Sequence, residues 1–133
     1  MADRETMNRV FRDRIVPALR ERGFKGSMPH FRRVVDGTMH LISFQFRSIG
    51  GSFVAEIAKC PAGEHTTSWG KVIPESKMNA TYLPPFKVRI RLGPADGFGD
   101  HWFDFATRPD GCEMCATELI ALMDSDAEPH WRA

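Results

Sequence analysis

A chain of 133 residues, 42% hydrophobic and 26% charged, is long enough to bury one core and too apolar for a disordered segment. No apolar run approaches the ~18 residues that cross a bilayer, and the opening MADRETMNRV lacks an apolar export core, so neither membrane insertion nor secretion is expected. The net charge of +1 divides into +5 over residues 1–33, +3 over 34–93 and −7 over 94–133, which fits ends that neutralise one another better than the uniformly basic surface of a nucleic-acid binder.

Residues 3–22 read as a helix, because Met7, Val10, Phe11, Ile15, Ala18 and Leu19 recur at steps of three and four. Asp3 is placed to cap its start, and Gly23 to stop it with Phe24 in the hydrophobic position that follows a left-handed cap. Pro17 breaks the pattern and predicts a kink or a division there.

A three-stranded meander follows. Asp36-Gly37, between HFRRVV and TMHLISFQF, is the strongest short hairpin signal in the chain. It predicts pairing of Val35 with Thr38 and of Phe31 with Ile42. A second turn at Gly50-Gly51 predicts pairing of Ile49 with Ser52, Phe46 with Ala55 and Phe44 with Ile57. Alternation then gives one oily face of Phe31, Ile42, Phe44, Phe46, Phe53, Ala55 and Ile57. The opposite face carries His30, Arg32, Ser43, Gln45, Arg47, Val54 and Glu56.

Residues 61–85 are rich in Pro, Gly, Ser and Thr and long for a connection, so they are read as a functional loop or as hiding a short element. PFKVRIRL alternates, with Phe86, Val88, Ile90 and Leu92 inward and Lys87, Arg89 and Arg91 outward, until Gly93-Pro94 ends it. HWFDF, residues 101–105, is a short aromatic strand. A last helix spans about 110–123, with Asp110 and Glu113 spaced as a capping box. The tail, 125–133, is polar except for Trp131, which is expected to fold back on the body.

This order predicts a single α+β domain over 1–133, an antiparallel sheet of four to five strands with N- and C-terminal helices packed on one face. GFK at 23–25, ISFQF at 42–46, RIRLG at 89–93, HWFDF and the closing helix, in this order, resemble domain-of-unknown-function family 4304 over roughly residues 8–125. The resemblance implies an α+β fold, a mostly bacterial distribution and no established activity, and it transfers no functional residue.

The segment DGCEMC contains a CxxC. Cys112, Cys115, Ala116, Leu119, Leu122 and Met123 form the apolar stripe of the last helix, so both thiols are explained as core. A redox role wants a parallel βαβ setting, which this chain lacks. A zinc site needs two further ligands, and Cys60 with His65 would complete the set. Three cysteines without an export core predict free thiols in a reducing cytoplasm. His30, His40, His65, His101 and His130 are scattered; His101 lies beside Asp100 and Asp104, yet alternation points it away from both. No Gly-rich phosphate loop, GxSxG or HExxH occurs.

The face opposite the oily one gathers Arg32, Arg47, Lys87, Arg89 and Arg91 with Gln45 and Glu56, provided that the 86–92 strand joins the same sheet. Basic residues on strands also guard edges against aggregation. As a site, this set suits phosphate, carboxylate or an acidic protein surface. The stacking aromatics that single-stranded nucleic acid needs lie on the other face. The sequence therefore favours a non-catalytic binding or interaction module without a cofactor, whose partner is a protein, a small anion or a second copy of the chain. The alternative is a small enzyme or zinc protein using Cys60, His65, Cys112 and Cys115.

Overall fold

A computed structural model describes residues 3–84, 88–93, 101–107 and 110–133. The chain opens with helix α1, Arg4–Val10. Asp3 caps it, its carboxylate accepting from the Thr6 N–H at 2.9 Å. The helix widens into a π turn at Phe11–Ile15 and resumes as α2, Val16–Glu21. Pro17 explains the widening. It offers no N–H and its ring crowds the carbonyl four residues back, and a π turn relieves both without dividing the helix. Gly23, at φ +88°, ends α2. The Phe24 N–H returns to the Leu19 carbonyl at 3.0 Å, and the Phe24 ring is buried.

The sheet begins with β1, Lys25–Ser27, a short edge strand that the sequence reading did not separate. Strand β2, His30–Val35, β3, Thr38–Phe46, and β4, Ser52–Pro61, form the meander. The Asp36-Gly37 hairpin pairs Val35 with Thr38 and Phe31 with Ile42, as expected. The next turn is wider than a two-residue Gly50-Gly51 turn. Arg47 pairs with Ser52 through its N–H, and the register becomes Phe46 with Phe53, Phe44 with Ala55 and Ile42 with Ile57. The shift is two residues, an even number, so every side chain keeps its face.

Residues 61–84 hold the hairpin of β5, His65–Thr66, and β6, Val72–Ile73, followed by 3₁₀ turns at Glu75–Lys77 and Ala80–Tyr82. Of the next expected strand, Ile90–Arg91 form β7, paired with Ile57 and Glu56. With so short a ladder the alternation is not enforced. Leu92 reaches the main core, Ile90 stays 41% exposed at the edge, and Val88 packs on the other side of the sheet. Phe86, Lys87 and Pro94 lie outside the described residues. Strand β8, Phe103–Asp104, pairs with the start of β4. The order is β1-β2-β3-β4-β7, with β8 also on β4.

Helix α3, Gly111–Leu122, passes through a second π turn, Met123–Ala127, into α4, Glu128–Arg132, whose second residue is Pro129. The same device thus accommodates both helical prolines. The last helix is longer than the expected 110–123, and residues 125–132 are helical. Asp110 makes no side-chain cap; it adopts a left-handed φ of +56°. The expected capping box is absent because Glu113 is drawn away by Arg14, 2.7 Å distant.

Helices and the oily sheet face enclose the main core, in which Phe11, Phe31, Phe44, Phe53 and Phe103 meet edge-on or stacked. Sequence reading missed a second core. Met39, Leu41, Ala58 and Cys60, at one end of the supposedly polar face, are covered by Ile73, Met78, Ala80 and Leu83. The α+β architecture, antiparallel sheet and terminal helices are as expected.

Candidate functional site

At the other end of that second face the sheet is polar. Glu56 on β4 is nearly buried and stands between two arginines: Arg89 Nη1 is 3.1 Å from one carboxylate oxygen and Arg91 Nε is 3.1 Å from the other. One carboxylate thus holds two guanidinium groups. The other members of the expected basic set lie apart. Arg32, on β2, lines a separate cleft of about 290 Å³ with Lys25, Val34 and Glu75. Arg47 lies over the Trp102 ring at 5.5 Å, and Gln45 is exposed. Lys87 lies outside the described residues.

Arg89 also lines a pocket of about 520 Å³ walled by the β5–β6 hairpin and the turn at 81–84. The hairpin loop is closed by the Thr67 N–H on the Lys71 carbonyl, 2.8 Å, and by the Thr67 hydroxyl accepting from the Lys71 N–H, 3.0 Å. This lifts Ser68 and Trp69 to the pocket mouth, where Trp69 is 66% exposed. Tyr82 also lines it, with Lys71 Nζ 6.0 Å from its ring centroid. Thr66, Thr81 and His65 add polar groups. The Arg89 Nε is closed to solvent and has no hydrogen-bond partner among the described residues. A guanidinium in a pocket that aromatic side chains also line can grip an anion with a flat face. Trp69 and Tyr82 were not singled out from sequence. Two large aromatics in an otherwise polar segment were the available signal.

The thiols of DGCEMC are core. Cys112 and Cys115 are buried among the main-core residues of α3, and Cys60 lies in the second core, across the sheet. Burial pushes the thiols of Cys60 and Cys112 up from the ordinary value, away from reactive thiolate. The cysteines of the alternative zinc set (Cys60, His65, Cys112 and Cys115) are therefore divided between two faces of the sheet. Among the described residues no group of three or more His, Cys, Asp or Glu side chains is placed to hold a metal. His101 contacts Glu118 of α3 through Nε2. Asp104 accepts from the N–H groups of Ala106 and Thr107 and from the Thr107 hydroxyl, closing a turn. Asp100 lies outside the described residues.

A second polar cluster, also missed from sequence, ties β2 and β3 to α4. Arg33 is buried and reaches Glu128, with one contact of 2.7 Å to Oε2; its Nη1 donates to the Arg22 carbonyl at 2.8 Å. Its Nε donates to His40 Nδ1 at 2.9 Å. The His40 ring stacks on Trp131 with planes 7° apart, and the Trp131 indole N–H is shared by the carbonyls of Leu41 and Ala58. Burial, then Arg33, lowers the His40 pKa to about 4. Arg33, His40 and Trp131 are buried and their groups are engaged with one another and with Glu128, so this cluster holds the C-terminal helix down.

The family model described as Domain of unknown function (DUF4304) matches residues 15–133, so the chain belongs to that family. No curated protein and no solved structure shows significant similarity to it. Among the described residues no helix is long and apolar enough to cross a membrane.

Proposed function

We propose that this member of the DUF4304 family is a non-catalytic binding module that takes a small anion with a flat body in the pocket between the β5–β6 hairpin, Tyr82 and Arg89. The observation that carries the reading is the Arg89 guanidinium, held by Glu56 through Nη1, in the lining of a pocket that Trp69 and Tyr82 also line. A positioned guanidinium offers charge-assisted hydrogen bonds to a carboxylate or phosphate, and the aromatic side chains offer a surface for a flat body. Of the wider basic set, Arg91 serves the same end of the sheet, whereas Arg32, Gln45 and Arg47 are too dispersed to share one small ligand. Three buried free thiols support a reducing, cytoplasmic setting.

Native mass spectrometry of the purified protein, followed by Trp fluorescence titration with AMP, citrate and inorganic phosphate, tests this reading. The expected result is a co-purified anionic mass or saturable binding of AMP, weakened about tenfold or more in Arg89→Met, the scale of one charge-assisted hydrogen bond. A bare mass with no saturable probe, or binding unchanged in Arg89→Met, overturns it. A bound zinc lost on acidification would restore the metal alternative.

A further inference from the structure

On the helix side of the molecule, far in sequence from Arg89, the π turn borders a second groove of about 520 Å³. Its floor is apolar: Phe11 and Val16 from the helix, Met28 and Pro29 from the β1–β2 connection, and Phe46 from the end of β3. Its rim is cationic, formed by Arg4 and Arg12 with Asn8 between them. Arg4 lies flat on the Phe46 ring, its Cζ 3.5 Å from the centroid, and its Nε donates to Asn8 Oδ1 at 3.1 Å. It has no carboxylate partner among the described residues. Arg12 holds the neighbouring Asp13 through Nε at 3.0 Å.

We infer that this groove binds a small monocarboxylate with an apolar body, its chain on Phe11, Val16, Met28 and Pro29 and its carboxylate on the Arg4 and Arg12 guanidinium groups. The volume falls in the range of roughly 300–1,000 Å³ typical of small-molecule pockets, and an apolar lining with a few convergent polar groups is their usual composition. The charge complementarity selects an acid over an alcohol or an amine of the same length. Stacking on Phe46 pre-orders Arg4, so less freedom is lost when its fork engages two oxygens. The π turn that accommodates Pro17 brings Phe11 and Arg12 into the lining from a single turn.

The probe is sodium octanoate, titrated by isothermal calorimetry against the full chain, with octan-1-ol and octylamine as controls. Saturable octanoate binding, at least about tenfold tighter than octanol, is the expected result. Arg4→Gln with Arg12→Gln, both on the exposed rim, should remove that preference, and Arg89→Met should leave it intact. The inference fails if octanoate does not saturate, if octanol binds as well as octanoate, or if the double variant binds octanoate as the parent does. Because Arg89→Met is silent here and decisive for the other pocket, the two readings fail separately.

Discussion

His40 is held neutral first by burial and then by Arg33, whose hydrogen bond also fixes the tautomer. Arg33 can only donate, so His40 Nδ1 must present its lone pair and the ring proton sits on Nε2. Protonating Nδ1 would turn an acceptor into a donor facing a guanidinium, with Lys59 and Arg132 also opposing the charge and Glu128 alone favouring it. The unfolded chain takes up this proton near the ordinary value of 6.5, whereas the folded protein does so at about 4. Between these values the unfolded state binds more protons, so stability is full above 6.5 and falls as the pH drops toward 4. His30 and His130, also lowered by burial, add slope of the same sign. Urea denaturation from pH 7.5 to 4 should show the decline, and His40→Asn, whose carbonyl still accepts from Arg33, should flatten part of it. An unchanged slope in that variant would assign the decline to other groups. None of this was legible in the sequence: His40 and Arg33 alternate with core residues on a strand, and nothing local says that Glu128, 95 residues away, arrives to pair with Arg33.

Elements are joined as closely as residues. A Cβ built on Gly111, the first residue of α3, would lie 2.4 Å from the Phe105 carbonyl oxygen and 2.8 Å from its carbon. Both are backbone atoms, which no side-chain rotation can move. Gly111→Ala gains up to about 1 kcal/mol of helix propensity and meets an overpacking cost of about 1–3 kcal/mol. A net loss by urea denaturation is therefore expected. A gain would mean that the backbone at Phe105 yields. The glycine of DGCEMC thus has a reason as definite as its cysteines. Legibility at this scale followed the strength of the local signal. Asp36-Gly37 determines its turn, and the predicted β2–β3 register holds. Gly50-Gly51 permits several turns, and the predicted β3–β4 register is two residues off while the faces survive. The apolar stripe of α3 was readable, but the capping box was not, because Arg14 of the first helix competes for Glu113.

At the scale of the molecule the sheet separates two apolar cores of unequal size. Met39, Leu41, Ala58 and Cys60 lie on the face read as polar, and their apolar character was the signal, passed over, that this end of the face is covered too. The long polar segment gave no sign of being the cover, because its few apolar residues, Ile73, Met78, Ala80 and Leu83, are irregularly spaced. The candidate pocket was only half legible for the same reason: Arg89 stood in a clear strand pattern, whereas Trp69 and Tyr82 reach it through turns without periodicity. The smaller core is closed by short 3₁₀ turns and a two-residue hairpin, so it has few cooperative contacts to break. The larger one is closed by helices at both ends of the chain and tied by Arg33, Glu128 and Trp131. Stability is then expected to be uneven, with the 61–84 cover opening before the helical face. The three cysteines report on this directly, Cys60 from the smaller core and Cys112 and Cys115 from the larger. In native-state thiol labelling read by mass spectrometry, Cys60 should react first and with weak dependence on urea. Cys112 and Cys115 should react together, with the full urea dependence of global unfolding. Equal rates and equal dependence at all three positions would show the two cores to be one cooperative unit. A faster Cys60 would mean that the cover, and with it the wall of the Arg89 pocket, opens on its own while the rest of the fold stands.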